Sequence, residues 1–184
     1  MNIMEQNNNA KNLNVRDWIV LSTTMIAAVL TILALIWQAR PSTGIVSITF
    51  LLMLSFVFFV NSVSSNSRAN FEAKVGKISE KKISNFVTFA EYSFGFGFTL
   101  VINAFSILGY KYLLDFMGRE VYVLILPIAF LLTAWIIIII YNFISYSGKV
   151  LRGLRSLKRN LWTLIEIICL IFIVLDFFGI LVIP

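Results

Sequence analysis

Five runs of about 20 apolar residues, each almost free of charge, dictate what this chain can fold into. They cover residues 18–37, 44–63, 85–108, 121–146 and 161–183. Each matches the roughly 30 Å of hydrocarbon in a bilayer. In that medium no water is present to satisfy the backbone, so a spanning segment must bond to itself as a helix. Composition agrees. Of 184 residues, 59% are hydrophobic and 13% charged, too much apolar surface for a soluble domain of this length to hide. The expected fold is all-α: a polytopic integral membrane protein with five transmembrane helices in a bundle and short amphipathic basic cytoplasmic loop helices. Residues 1–17 form a polar, Asn-rich cytoplasmic tail, and 18–184 a single membrane domain. The first run is longer than the apolar core of a signal sequence and ends in Trp37-Gln38-Ala39-Arg40-Pro41, a poor cleavage site, so it reads as a retained helix.

The basic residues test this division independently. Lys11 and Arg16 precede the first run. Arg68, Lys74, Lys77, Lys81 and Lys82 lie between the second and third. Lys149, Arg152, Arg155, Lys158 and Arg159 lie between the fourth and fifth. With five spans these twelve share one side, against three (Arg40, Lys111 and Arg119) on the other. The excess places the N-terminus in the cytoplasm and Pro184 outside, with the plasma membrane as the expected location. Trp18, Tyr146 and Trp162 then fall at the inner boundary, and Trp37, Tyr110, Tyr112 and Tyr122 at the outer one, the depth that amphipathic rings favour. Trp135 falls mid-span, where packing on another helix suits it.

Several chemistries are excluded. The chain has no His and one Cys, Cys169. A Ser-His-Asp or Cys-His catalytic arrangement is therefore impossible, and a zinc, copper or haem site is not expected. No cofactor is expected. No segment outside the runs is long enough for a globular catalytic domain, so no enzyme is expected; a lipid-acting enzyme has no motif in its favour.

Two basic loops invite a binding reading. Between runs two and three, Phe71, Val75 and Ile78 share a helical face opposite Lys and Glu. That pattern fits a surface helix or a cytoplasmic extension of the neighbouring spans. Between runs four and five, Leu151, Leu154, Leu157 and Leu161 align, with Arg152, Arg155 and Arg159 on another stripe. An anionic inner leaflet attracts such residues by about 1 kcal/mol each. Lys81, Lys82, Arg152, Arg155 and Arg159 are therefore the candidate contacts to anionic lipid. With no phosphate-cradling loop and no interleaved aromatics, nucleic acid is not expected as a partner.

The polar residues inside the runs carry the remaining information. On a helix, Thr88, Tyr92, Gly95, Thr99, Asn103, Ser106 and Tyr110 fall within about 80° of one another, with Glu91 at the border. The opposite flank is Phe94, Leu100, Val101 and Phe105. The polar stripe needs protein or water beside it. Packing explains its small residues, since Ser, Thr and Asn bond across helices at about 0.6 kcal/mol each. Ser93 and Gly97 add a small-residue pair on another part of the same helix.

Carboxylates demand more, because a charge deep in hydrocarbon costs at least about 2.5–3.5 kcal/mol. Glu91 and Glu166 each lie about five residues from the inner end of a run, roughly 7–10 Å deep. They are placed to share a proton or cation if their helices meet. Asp176 is deeper, with no Lys or Arg inside the runs to pair with it. A protonated Asp176 bonded to backbone or to Asn103 is the alternative. Glu166, Cys169, Ile173 and Asp176 occupy one sector of the fifth run. Glu91, Glu166, Asp176, Thr99 and Asn103 are accordingly the candidate cation or proton site. In the first run, Thr24, Ala27, Ala28, Thr31 and Ala34 suggest a close-packing face. The second run reads as peripheral. In the fourth, which reads as lipid-facing, Pro127 suggests a tilt or kink.

Two functions follow. The leading expectation is a small, self-associating membrane protein, a cation- or proton-linked channel or transporter built on these acids. The other is a non-transporting accessory subunit of a larger membrane complex, whose polar helix faces are protein interfaces. Membrane lipids, further copies of the chain or other membrane subunits are the expected partners.

Overall fold

The computed structural model describes residues 3–76, 78–145 and 157–184, excepting the side chains of 3–14, 137–139, 141–145 and 157–160. Among the described residues the chain is all-α, with no strand. Among the described residues five α-helices run α1 Ile3–Gln38, α2 Ile45–Val75, α3 Glu80–Met117, α4 Ile125–Ser145 and α5 Leu157–Phe177, with a 3-10 turn Val121–Leu124 before α4. Three helices among the described residues are long and apolar enough to cross a membrane: Val15–Gln38, Ile45–Val75 and Glu80–Met117. Val121–Ile136 is a shorter apolar stretch. Leu35, Phe50, Val57 and Phe116 are among many large apolar side chains left on the outside.

Helix ends depart from the hydropathy boundaries for local reasons. The helices α2 and α3 continue well past their apolar runs, so the basic connection is mostly helical extension. An Arg68–Glu72 ion pair one turn apart, at 2.6 Å, supports the end of α2. Pro127 does not interrupt a helix: it sits in the first turn of α4, where an N–H would have no partner anyway. The helix α5 stops at Phe177, yet its 21 residues still extend about 30 Å. Its end is a Schellman motif. Gly179, at φ +73°, donates to the Asp176 carbonyl, and Ile180 donates to the Leu175 carbonyl, both at 3.0 Å. Residues 178–184 then run on as a non-helical strap.

The chain divides into two compact units, Met1–Ala34 with Met53–Phe98, and Leu35–Leu52 with Thr99–Pro184. In the first, Ser22 and Ser62 hydroxyls lie 3.2 Å apart, and the Asn61 amide donates to Ser93 Oγ at 2.6 Å. Gly97 allows a close approach: a Cβ there would stand 3.0 Å from the Phe59 ring. Phe94 packs on Trp18, Phe59 and Phe98. On α3 here Ala90, Ser93, Gly95 and Gly97 are buried, whereas Thr88 and Tyr92 are exposed.

The small-residue face expected on α1 points outward: Thr24, Ala27, Thr31 and Ala34 are exposed. The Thr24 and Thr31 hydroxyls bond to carbonyls one turn back, at 3.0 and 2.9 Å, so they need no neighbour. The buried stripe is Ser22, Val29, Leu33 and Ile36. The helix α2 is less peripheral than its composition suggests. Ser55, Phe59, Ser62 and Asn66 recur at helical spacing and are all buried.

Candidate functional site

In the second unit, three segments converge on Asp176. The first is α5, whose Glu166, Cys169, Ile173 and Asp176 are all buried. The second is the last turns of α3, which carry Tyr110 and Lys111. The third is the strap. The Lys111 ammonium donates to Asp176 Oδ1 at 3.0 Å and Oδ2 at 2.9 Å. The Tyr110 hydroxyl donates to Oδ2 at 2.8 Å, and the Ile183 N–H to Oδ1 at 2.7 Å. The Lys111 and Asp176 side chains are only 2% and 5% exposed. A carboxylate offers about four acceptor positions, and here all are occupied by protein donors.

This corrects the expectation that Asp176 lacks a basic partner. The Lys111 side chain, assigned to a loop by hydropathy, lies on a helix that continues to Met117 and folds inward. Tyr110, expected at a membrane boundary, is fully buried. Asn103 is not among the groups bonded to Asp176.

The turn between α1 and α2 holds the lysine in place. Gly44 adopts φ +85°, and a Cβ there would lie 2.8 Å from Lys111 Cγ. The Lys111 stem therefore crosses bare backbone. Asp115 accepts from the Ser42 N–H at 2.7 Å and from the Ser42 hydroxyl, and the Tyr112 hydroxyl donates to the Ala39 carbonyl. The strap is fixed at its far end by the Ser47 N–H, which donates to the Pro184 carbonyl at 2.9 Å.

Glu166 lies further along α5. It is 2% exposed and accepts from the Trp135 indole N–H of α4. Thr99 and Asn103 are buried too, although Leu100 and Val101 on the opposite flank are equally so. Phe105, one turn further along that flank, is exposed. The Asn103 backbone carbonyl receives the Cys169 thiol at 3.9 Å. Its side-chain Oδ1 is buried with no hydrogen-bond partner among the described residues.

The other candidates fall elsewhere. Glu91 belongs to the first unit and is half-buried. Lys81 and Lys82 are exposed near the start of α3; Lys82 borders a cleft of about 300 Å³ with Asn85, Phe86 and Phe89. Arg152 and Arg155 lie outside the described residues, as does the side chain of Arg159. Among the described residues no group of three or more Cys, Asp or Glu gathers to hold a metal ion. Comparison of the chain with protein-family models, curated proteins and solved structures returned no match.

Proposed function

We propose that the chain is a five-span integral membrane protein acting as a non-conducting subunit, assembling with itself or with other membrane proteins. The saturation of Asp176 carries this reading. An ion site needs free lone pairs, and Lys111, Tyr110 and the Ile183 N–H take those of the deepest acid. Asp176 then serves as a fastening between α3, α5 and the strap. The outward apolar side chains of α1 and α2 suit lipid or a partner helix. Lys81 and Lys82 suit an anionic inner leaflet.

One observation favours the alternative, a proton- or cation-linked transporter. Among the described residues Glu166 is buried beside a single neutral donor, Trp135, and carboxylates so placed serve proton relays. Reconstitution in liposomes separates the two. The wild-type protein is expected to pass protons and monovalent cations no faster than protein-free vesicles. A flux abolished by Glu166→Gln would establish transport instead.

The basic-residue asymmetry supports a cytoplasmic N-terminus and location in the plasma membrane. A reporter appended after Pro184 is expected to be active only on the external side; cytoplasmic activity there overturns the five-span arrangement.

A further inference from the structure

The strap leaves α5 and crosses to the start of α2, all within the second unit. As far as Leu181 it stays tied to the end of α5: Ile180 and Leu181 both donate to the Leu175 carbonyl, at 3.0 and 3.4 Å. Beyond that point, among the described residues, two hydrogen bonds hold its backbone. The Ile183 N–H donates to Asp176 Oδ1 at 2.7 Å, and the Pro184 carbonyl accepts from the Ser47 N–H at 2.9 Å. Ser47 lies in the first turn of α2, where an N–H has no acceptor in its own helix, so the strap supplies one. Side chains add a single anchor. Ile183 is 4% exposed, whereas Val182 and Pro184 are exposed. Packing beneath the strap is incomplete. Residues 181–184 line a cavity of about 440 Å³ together with Asn103, Ile107 and Ile165, and atoms that face a void forfeit dispersion contacts.

We propose that residues 182–184 form a gate over the Lys111–Asp176 pair, lifting as one piece while α5 stays folded. A segment with few buried contacts and few hydrogen bonds opens locally, well below the free energy of global unfolding. The gate has two such bonds and one buried side chain, whereas α5 is a continuous helix of 21 residues. Lifting it removes one of the three groups bonded to Asp176; Lys111 and Tyr110 remain in place. The vacated position on Oδ1 is then open to water or to a small cation. The same movement uncovers the Ser47 N–H, so the carboxylate and the start of α2 are released together. The closed gate completes the saturation of Asp176, and it does so whether or not the protein conducts ions.

The test is hydrogen exchange of the full chain in lipid nanodiscs, read amide by amide by NMR and corrected for intrinsic rates. Exchange at Ile183 requires both release from Asp176 and the arrival of solvent beside that carboxylate. Ile183 and Ser47, far apart in sequence, should be protected to the same degree, within about threefold, because one opening frees both. Each should exchange at least about a hundredfold faster than Ile173 within α5. Ile48, whose N–H bonds to the Gly44 carbonyl at 3.0 Å, should be slower than Ser47, which separates lifting of the gate from fraying of α2. Ile183→Ala removes the anchor and keeps the N–H. It should speed exchange at Ser47 about tenfold or more and leave Ile173 unchanged. If that variant does not fold, the wild-type comparison decides alone. Equal protection of Ile183 and Ile173, unequal protection of Ile183 and Ser47, matched exchange at Ser47 and Ile48, or a folded Ile183→Ala that speeds Ser47 no more than Ile173 each overturns the proposal.

Discussion

Lys111→Met is expected to destabilise the protein by about 3–5 kcal/mol, because it strands a buried carboxylate without its counter-charge. Asp176→Asn should cost a similar amount by stranding the ammonium. The double variant Lys111→Met/Asp176→Asn should recover most of the loss. It carries no buried charge, and the Asn oxygen still accepts from Tyr110 or from the Ile183 N–H. The residual deficit should be no more than about 2 kcal/mol, the order of one or two imperfect buried hydrogen bonds. The measurement is reversible unfolding in mixed micelles, followed by helical circular dichroism, for all four proteins of the cycle. Strong non-additivity is the signature of two groups acting as one. Additive losses would mean that the two side chains are stabilised separately, and the fastening would have to be abandoned.

Much of this clamp was legible in the sequence, and the missing part has a physical cause. Glu166, Cys169, Ile173 and Asp176 share one sector of a 3.6-residue helix, and all four are buried. The same periodicity groups Thr99, Asn103, Ser106 and Tyr110. Lys111 escaped because hydropathy treats a lysine as the end of an apolar run. It weighs each side chain alone, whereas a lysine that finds a carboxylate, and whose stem covers a glycine, can be buried. The outward turn of α1 escaped for the converse reason. Thr24 and Thr31 look like groups in need of a neighbour, yet each hydroxyl is satisfied by its own helix. Ser55, Ser62 and Asn66 on α2 were visible at helical spacing, but the surrounding Leu, Phe and Met dominated the reading. The cavity at Asn103 depends on the strap leaving α5 at Gly179. A continuous apolar run does not announce that turn.

Gly44→Val should have the next largest effect, and its size should depend on a residue distant in sequence. Valine at φ +85° is strained by about 1–3 kcal/mol, because its branched side chain meets its own backbone. Its Cβ would also stand 2.8 Å from Lys111 Cγ, so the lysine stem must move. Displacing it parts the ammonium from Asp176, and the total loss should approach or exceed that of Lys111→Met. The charge-free background Lys111→Met/Asp176→Asn separates the two contributions. There a flexible Met stem can swing aside without breaking an ion pair, and Gly44→Val should cost only the backbone strain. Micellar unfolding of the variant in both backgrounds gives the comparison. An equal loss in each would show that Gly44 is needed for its turn alone. A clearly smaller loss in the charge-free background would show that the turn between α1 and α2 also holds Lys111 against Asp176.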